Sequence, residues 1–140
     1  MKLQAKIFSD LLFRKVFLMV LLLVFLQANL YSQDYMSTIS TAMKQGDTRS
    51  IAIYFDNTID LTFSDNTNTY SKKQALVIIQ NFFNKIEPRD YIPQQRGKSQ
   101  SNNTKFNIGS LYTSNGIYKV YMLFIVKKGV YFLKELRFEK

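Results

Sequence analysis

The sequence lacks cysteine, histidine and tryptophan, and its 140 residues include only 2 prolines and 5 glycines. Without cysteine or histidine the chain has no thiolate nucleophile, no imidazole acid–base catalyst and no Cys/His zinc site. Disulfides and a cysteine-linked lipid anchor are excluded for the same reason. These absences remove much of the chemistry that enzymes use, and they leave tyrosine and carboxylate side chains as the main candidates for a polar site.

Aromatic and basic residues are plentiful. The chain has 12 phenylalanines and 9 tyrosines, which is ample apolar material for a core and argues against disorder. Lysine and arginine outnumber aspartate and glutamate by 19 to 10, a formal net charge of +9. The first 32 residues carry four basic side chains and Asp10, a net +3, which leaves +6 on the rest. That charge attracts anions without requiring nucleic acid as a partner.

The N-terminus has the pattern of a secretory signal peptide. Residues 16–26 form an unbroken run of 11 apolar side chains directly after Arg14 and Lys15. Such a run spans about 16 Å as a helix, roughly half of the hydrocarbon thickness of a bilayer, so a transmembrane anchor is disfavoured. We expect residues 1–32 to be the signal peptide, with cleavage after Ser32 or, alternatively, after Ala28. The protein is then exported to the periplasm or the extracellular space, and an uncleaved signal segment would be its one membrane contact.

The next residues predict two helices and a strand. Residues 34–46 form an amphipathic helix, with Asp34 as its cap and Gly46 after its end. A second, shorter helix is predicted over residues 49–55, with Phe55 facing inward. Residues 59–63 alternate apolar and polar side chains, the period of a half-buried strand, and residues 65–68 predict a turn.

The clearest helix is predicted over residues 71–86. Ser71 and Gln74 have the spacing of a capping box, and Pro88 stops the helix because the residue before proline avoids the α region. Residues 89–99 then form a strand that Pro93 interrupts, which favours a sheet edge or a bulge. The apolar stripe of the helix consists of Ala75, Leu76, Ile79, Phe82, Phe83 and Ile86.

The last 37 residues predict three antiparallel strands. The first reversal is Asn115-Gly116, for which we expect a type I′ turn, and the second and weaker one is Lys128-Gly129. The middle strand, residues 117–126, is apolar on both faces, which favours a central position or a covered second face. In the last strand the predicted buried set is Val130, Phe132, Leu136 and Phe138.

This order of elements resembles the cone-shaped α+β fold of the nuclear-transport-factor-two-like (cystatin-like) superfamily, in which N-terminal helices pack on a curved antiparallel sheet. Within it the chain is similar to domain of unknown function 4783, a family of small exported Bacteroidetes proteins. The resemblance implies one domain over residues 33–140 and export, and it brings no agreed activity. The matching segments are ISTAMKQGD (39–47), IYFDNTIDLTF (53–63), YSKKQALVIIQNFF (70–83), IGSLYTSNGIYKVYMLF (108–124) and FLKELRFEK (132–140).

Folds of this kind often hold a small molecule between the helices and the concave sheet. We therefore expect a non-catalytic binding or assembly module of the cell envelope, with a small apolar ligand in that space. A small-molecule enzyme with an Asp/Tyr pair is the alternative, because some related folds isomerise ketosteroids with such groups. Asp56, Tyr112 and Tyr118 are further polar candidates. Tyrosines more often serve as core residues with the hydroxyl at the surface. The predicted pocket residues are Tyr54, Phe55, Asp60, Tyr70, Phe82, Phe83 and Tyr121.

Other interpretations carry less support. Asp65, Thr67 and Thr69 have calcium-loop spacing without its glycine and glutamate, so a turn is favoured, and we predict neither a metal nor a cofactor. Nucleic acid is an unlikely partner, since basic side chains on neighbouring strands also protect sheet edges. The second apolar face of residues 117–126 suggests a homodimer through the sheet, unless the helix and N-terminal segment cover it. The basic and aromatic residues of the nucleic-acid interpretation are Arg89, Tyr91, Arg96, Lys98, Lys105 and Phe106.

Overall fold

The computed structural model describes residues 1–27, 34–99 and 103–140. The chain divides into two compact units, Met1–Asp34 and Tyr35–Lys140. The first unit contains helix α1 (Lys2–Gln27), whose side chains are exposed through residue 22. In the described ranges, no helix is both long and apolar enough to cross a membrane. Both predicted cleavage positions fall within residues 28–33, outside the described residues, so the signal peptide stays a prediction.

The second unit packs three helices on one six-stranded sheet. The strand order is β2-β1-β6-β5-β4-β3, with antiparallel neighbours except for the parallel pair β1–β6. Helices α2 and α4 lie on the concave face, α2 against β3 and β4, and α4 against β1 and β2. The elements are α2 (Tyr35–Gln45), α3 (Thr48–Ala52), β1 (Phe55–Phe63), β2 (Asn66–Ser71), α4 (Lys72–Ile86), β3 (Pro88–Lys98), β4 (Thr104–Thr113), β5 (Gly116–Lys127) and β6 (Val130–Glu139).

The second predicted helix is shorter than expected. Asp47 caps α3 by accepting from the backbone N–H of Ser50 at 3.2 Å, and the helix ends at Ala52. The predicted end at residue 55 is wrong, because Phe55 opens β1 and pairs with Leu133 of β6. The carbonyl of Tyr54 accepts from the backbone N–H of Leu133 at 2.6 Å. A tertiary strand pairing therefore overrides the local helical pattern.

The predicted turn over residues 65–68 is also wrong. The reversal is at residues 64–65, with Ser64 at φ 55°, and β2 begins at Asn66. Cross-strand hydroxyls stabilise this pairing, since the Oγ1 atoms of Thr62 and Thr67 lie 2.8 Å apart. Thr67 and Thr69 are therefore strand residues, which removes the calcium-loop geometry. The described residues contain no group of three carboxylates suited to a metal ion.

Helix α4 forms as the sequence predicts. Ser71 and Gln74 make both halves of the capping box, and Glu87 ends the helix in the left-handed region at φ 49° before Pro88. The helix lies over β1 and β2, and its aromatic side chains reach the inner face of β5 and β6. The ring centroid of Phe82 is 5.5 Å from that of Tyr118 on β5 and 4.9 Å from that of Phe138 on β6.

The type I′ conformation occurs at the second hairpin turn and not at the first, for which it was predicted. Lys128 and Gly129 both have positive φ, 50° and 77°, the conformation that a type I′ turn needs. In the first hairpin Gly116 has φ 107° but Asn115 is not in the positive-φ region, so the predicted type I′ turn is wrong there. Thr113 explains the difference, because its hydroxyl donates to the Gly116 carbonyl at 2.7 Å and accepts from the Asn115 N–H at 3.1 Å.

A β-bulge in β6 changes which side chains are buried. Leu123 pairs with Glu135 and Phe124 pairs with Leu133, so Lys134 is an extra residue that reverses the alternation. Leu133 is fully buried, whereas Val130 is 54% exposed and Phe132 is half-buried. The predicted burial of Val130 and Phe132 is therefore wrong, and that of Leu136 and Phe138 is confirmed.

Strand β3 is an edge strand, as its proline predicts. Its register against β4 shifts twice, between Pro88 and Asp90 and between Pro93 and Gln95. The shift after Pro93 marks a bulge that strengthens local twist. Beyond the bulge the pairs are Arg96 with Asn107 and Lys98 with Lys105.

Candidate functional site

Aromatic rings fill the concave face beneath α4. We call Phe63, Phe82, Phe83, Tyr118 and Phe138 the aromatic cluster. Its ring centroids lie 4.8 to 6.2 Å apart along the contacts of Phe82 with the other four rings. Phe138 is 1% and Phe83 2% exposed. Close, edge-on ring packing of this kind is typical of a core. This is the place where the sequence predicts part of the ligand pocket.

The other predicted apolar pocket residues belong to the core or to its rim. Phe55 is 3% exposed at the start of β1, and Tyr54 is half-buried against the core in the turn before it. Tyr70 lies at the end of β2 beside α4. There it lines a shallow groove of about 430 Å³ with Lys73, Gln74, Val77 and Ile78. The structure thus brings Phe82 and Phe83 together and places Tyr70 on a separate surface.

The two carboxylates of the enzyme hypothesis have partners other than tyrosine. Oδ1 of Asp60 accepts from the Thr69 hydroxyl at 2.6 Å. Oδ2 of Asp56 lies 3.7 Å from Nζ of Lys127 and 3.9 Å from Nζ of Lys134, with 15% of its side chain exposed. An Asp/Tyr acid–base pair needs the carboxylate within hydrogen-bond reach of its partner. The contacts made by Asp56 and Asp60 are those of cross-strand ties.

Tyr121 lies on the convex face, away from the helices. Its neighbours in β5, Val120 and Met122, are buried beneath the helices, and side chains alternate along a strand. The Tyr121 ring stacks on Phe106 with centroids 6.4 Å apart, and the guanidinium of Arg137 lies 5.2 Å from its centroid. Burial, with the Glu135 charge, raises the pKa of Tyr121. This predicted residue is therefore not part of the concave interior.

A different set of side chains forms a polar cluster at the α2 end of the concave face. We call Tyr35, Tyr91, Lys105, Asn107 and Tyr131 the polar cluster. The rings of Tyr35 and Tyr131 stack with centroids 3.8 Å apart. Nζ of Lys105 donates to the Tyr131 hydroxyl at 2.7 Å, and Nδ2 of Asn107 donates to the Tyr35 hydroxyl at 3.4 Å. Three strands and a helix thus contribute hydrogen-bonding groups to one place.

Two atoms of the polar cluster are buried without a partner. Asn107 is 1% exposed and Tyr91 5% exposed. Within the described part of the chain, Oδ1 of Asn107 and the hydroxyl of Tyr91 have no hydrogen-bond partner. Burial raises the pKa of Tyr91 well above its ordinary value, against the opposing effect of the Arg96 charge. Tyr91 is therefore neutral near pH 7, with a hydroxyl able both to donate and to accept.

Glycine at position 109 makes room for Tyr91. A Cβ atom on Gly109 would lie 2.4 Å from the Tyr91 hydroxyl oxygen, so the ring passes directly over this glycine. Tyr91 pairs with Leu111, and its ring therefore runs along β4 from residue 111 over Gly109 in the direction of Asn107. Because Gly109 and Asn107 are two residues apart on one face, the two unpartnered oxygens lie on the same side of β4.

Sequence reasoning did not identify this cluster, although one signal was present. Leu111 is an inward apolar residue of β4, and the period of two places Asn107 inward as well. A polar amide at an inward position is the informative exception in an otherwise apolar pattern. The sequence analysis considers Tyr91 and Lys105 only as candidate nucleic-acid contacts, and it assigns no role to Tyr35 or Tyr131.

Comparison with known proteins places this geometry in a family. The family model for a domain of unknown function, DUF4783, matches residues 36–139. A DUF4783 family protein from Bacteroides ovatus is similar at 25% identity and a TM-score of 0.70, covering 74% of this chain and 92% of that one. A second, from Bacteroides fragilis, has 20% identity and a TM-score of 0.69 over 74% and 95% of the two chains.

The wider fold group is also represented. An NTF2-like protein from Cytophaga hutchinsonii has 11% identity and a TM-score of 0.57, covering 76% of this chain and 92% of that one. A search of curated proteins finds no match. The extent of the family match and the helix-covered, curved six-stranded sheet together lead to one conclusion: the chain belongs to the DUF4783 family and has the NTF2-like α+β fold.

Proposed function

We propose that the protein is an exported, non-catalytic binding module of the cell envelope, and that it takes a small ligand at the polar cluster. The observation that carries this proposal is the pair of unpartnered buried oxygens on Asn107 and Tyr91. More than nine in ten buried polar groups in proteins have a hydrogen-bond partner, and an orphaned one costs about 1–3 kcal/mol. Two such groups on one side of neighbouring strands support a partner that the fold itself does not supply.

The aromatic cluster supports this interpretation by contrast. There the same sheet is covered with rings that contact each other, and none of the unpartnered buried atoms found in the described residues belongs to those rings. A leucine or phenylalanine in place of Asn107 would close the α2 end in the same manner. The polar cluster is therefore the part of the concave face that buries polar groups which do not help to stabilise the fold.

A ligand at this position also matches the character of the surrounding residues. Ligand sites in proteins are concave and mostly apolar, with a few placed polar groups that fix orientation. Here Phe124 packs edge-on against Tyr35 at 5.1 Å, and Asn107 and Tyr91 supply the polar groups. The proposed site thus lies at the α2 end of the concave face, whereas the sequence predicts part of the pocket at the α4 end.

A fragment screen followed by ¹⁵N-HSQC spectroscopy tests the proposed site. Small polar fragments should shift the amide signals of Asn107, Gly109 and Tyr91, and Asn107→Leu should abolish those shifts while the protein stays folded. The matched control is Thr48→Val, since Thr48 is fully buried with an unpartnered hydroxyl at the start of α3, outside the polar cluster. Binding that survives Asn107→Leu unchanged, or fragments that cluster elsewhere, would contradict the proposal.

Export rests on the basic, apolar pattern of residues 1–32. Fractionation of cells that produce the full chain, with the N-terminus of the recovered protein sequenced, tests it directly. We expect a shortened protein outside the cytoplasm. Recovery of the full-length chain in the cytoplasm would contradict export and leave the ligand site untouched.

The convex face supports a second proposal, a homodimer through the sheet. A row of half-buried apolar side chains crosses β4 and β5 there, and the ion-paired Glu135 and Arg137 border it. In a two-fold arrangement the Arg137 of each copy can face the Glu135 of the other. Light scattering at high concentration should give twice the monomer mass, and Leu123→Lys should restore the monomer. A strict monomer would exclude this arrangement. The row consists of Phe106, Ile108, Tyr121, Leu123 and Ile125.

A further inference from the structure

We infer that the free edge of β2 and the groove beside it bind an extended segment of another protein, which adds a strand to the six-stranded sheet. The segment pairs with β2 through its main chain, places an apolar side chain in the groove and carries an acidic side chain beside Lys73. This inference is independent of the proposed ligand site. We call the outer edge of β2, together with the groove residues Tyr70, Lys73, Gln74, Val77 and Ile78, the β2 surface.

The main chain of β2 is paired on one side only. β2 is the last strand of the sheet, with β1 as its neighbour. Phe63 and Asn66 flank a two-residue turn and pair with each other, so they exchange both main-chain hydrogen bonds, and every second residue of β2 does the same. Thr67 and Thr69 therefore direct their N–H and C=O groups away from β1. Among the described residues, no backbone group outside β1 bonds to them.

The two edge strands of the sheet differ in how they are protected. β3 contains Pro93 and two register shifts, and prolines and bulges are common protection against pairing with another chain. β2 has no proline and no charged side chain, and its six residues pair with β1 in one uninterrupted register. Six residues are a typical strand length. β2 thus presents a regular, unprotected template for another strand.

The groove lies where a side chain of an added strand would reach it. Tyr70 pairs with the buried Ile59, so both point to the helix side of the sheet. The Tyr70 ring and the α4 residues Val77 and Ile78 line the groove of about 430 Å³. The residue opposite Tyr70 on an added strand points to the same side and enters this groove. Because Val77 is 55% exposed, an apolar side chain there would remove apolar surface from water.

A second copy of this chain fits the β2 surface less well. In a two-fold pairing of β2 with itself, the side chains brought to the groove would be those of Asn66, Asn68 and Tyr70, which share the inner face. Two of these three are amides, which an apolar groove does not favour. Both copies would also carry the same positive net charge. A segment with an apolar side chain at this position has the better match.

The rim of the groove is basic. Lys73 lines the groove and Lys72 precedes it, and neither forms an ion pair within the described part of the chain. An antiparallel segment passes Lys72 before it reaches Tyr70, so its acidic side chain comes two residues before the apolar one, on the same face. Exposed charge pairs contribute little affinity and more specificity. The charge should therefore select among segments that the main chain and the groove bind.

A capped seven-residue peptide tests the inference, with threonine at its odd positions and glutamate, leucine and valine at positions two, four and six. Antiparallel pairing then places the leucine opposite Tyr70. We expect the peptide to shift the amide signals of Thr67, Thr69 and Val77 in ¹⁵N-HSQC spectra and to slow hydrogen exchange at Thr67 and Thr69. Serine in place of the leucine should weaken binding about tenfold or more. Lysine in place of the glutamate should weaken it about threefold.

Methylation of single peptide nitrogens separates strand addition from binding in the groove alone. The threonine at position five lies opposite Thr69, and its N–H bonds to β2. A methyl group on that nitrogen should weaken binding about fivefold or more. The valine at position six directs its N–H away from β2, so the same methyl group there is the matched control and should be tolerated.

Two valine variants of the protein test the groove. Val77→Gln replaces an apolar side chain of the groove on α4 and should weaken the leucine peptide about fivefold. Val130→Gln is the matched control, because Val130 is 54% exposed at the start of β6, and it should leave the affinity unchanged. A thermal melt of each variant checks that it folds, and the peptide series tests the groove without any change to the protein.

Three outcomes would overturn the inference. The first is no shift at β2 with the leucine peptide at millimolar concentration. The second is a set of shifts confined to Lys73 and Val77, without slower exchange at Thr67 and Thr69, which would indicate a groove for small apolar molecules. The third is slow exchange at Thr67 and Thr69 that depends on protein concentration without peptide, which would assign the edge to a second copy. Each of them leaves the ligand site at Asn107 untouched.

Discussion

The two ends of the concave face are built from the same sheet and differ in what their side chains leave unsatisfied. Under α4 the aromatic cluster packs ring against ring, as between Phe83 and Phe138 at 5.9 Å. Under α2 the polar cluster buries an amide oxygen and a phenol without partners. Burial of apolar rings stabilises a fold, whereas burial of orphaned oxygens destabilises it. The α4 end therefore stabilises the domain, and the α2 end retains buried polar groups that have no partner among the described residues.

Two glycines, one on each face of the sheet, make room for aromatic rings. Gly109 on β4 lies beneath the ring of Tyr91 on the concave side, and Gly97 on β3 lies beneath the ring of Phe106 on the convex side. In each case an aromatic ring from the neighbouring strand occupies the space that a Cβ would need. Such close approach is a common reason for glycine within a strand. At Gly109 it directs a phenol toward Asn107, and at Gly97 it flattens an apolar surface.

Loss of a ring from the aromatic cluster should have the largest effect on stability. Phe138→Ala removes a side chain that is 1% exposed and contacts Phe63, Phe82 and Phe83. We expect the free energy of unfolding to fall by about 3–5 kcal/mol, measured by urea denaturation. The matched control is Phe132→Ala, at a half-buried position beyond the Lys134 bulge. The free energy of unfolding of this variant should fall by clearly less. Equal losses at both positions would contradict a special contribution of the aromatic cluster to stability.

A methyl group at position 109 should have the next largest effect. Gly109→Ala places a Cβ 2.4 Å from the Tyr91 hydroxyl and forces the ring to move. Overpacking of this kind costs about 1–3 kcal/mol. The ring displacement should also shift the Asn107 amide signal. Ser110→Ala, one residue along on the opposite face, should change stability by less than about 0.5 kcal/mol. A Gly109→Ala protein as stable as the parent would show that Tyr91 does not occupy this space.

The sequence predicted several locally decided parts of the fold, although it misplaced the turn at residues 65–68 and the turn type at Asn115-Gly116. Helix α4 carries its cap at Ser71 and its apolar stripe within one segment, and both are confirmed. The edge position of β3 likewise follows from Pro93 alone. Features that depend on a distant partner were missed. Lys134 becomes a bulge because of how β6 pairs with β5, and Phe55 leaves the predicted helix because it pairs with Leu133.

The candidate site was missed for the same reason. Tyr35 and Asn107 are 72 residues apart in the chain and meet only through the packing of α2 on β4. Six of the seven predicted pocket residues come from residues 54–83, and three of these, Phe55, Phe82 and Phe83, belong to the core or pack against it. A buried orphaned oxygen is a property of packing, so periodicity can place Asn107 on the inner face without showing that its partner is absent.

The capping box provides a test of whether the two ends are energetically independent. Ser71→Ala removes the hydroxyl that accepts from the Gln74 N–H and should cost about 1 kcal/mol, with fraying of the first turn of α4. Because α4 covers the aromatic cluster, hydrogen exchange should increase at residues 72–75 and not at Asn107 or Gly109. Fragment affinity at the polar cluster should remain unchanged. Weaker binding in this variant would show that the two ends are coupled.

The smallest change in stability at neutral pH is expected for Tyr91→Phe. Whether stability rises or falls in this variant is the sharpest test of the polar cluster. The substitution removes an orphaned hydroxyl and keeps the ring over Gly109, so the ligand-free protein should be equally stable or more stable by up to about 1 kcal/mol. Fragment binding at Asn107 should weaken in the same variant. A stability loss above about 1 kcal/mol without a change in binding would mean that the hydroxyl has a structural partner.

Alkaline pH should widen the difference in stability between the parent protein and Tyr91→Phe. Because burial raises the pKa of Tyr91 in the folded state, its phenol stays protonated after the unfolded chain has ionised near pH 10. The unfolded state then binds fewer protons, so the stability of the parent protein falls as pH rises above about 10, and Tyr91→Phe lacks this contribution. Tyr112→Phe, at an exposed position on the convex face, should follow the parent curve. Denaturant midpoints between pH 8 and pH 11 would measure all three, and parallel curves for the parent and Tyr91→Phe would show that Tyr91 is not held in a dry interior.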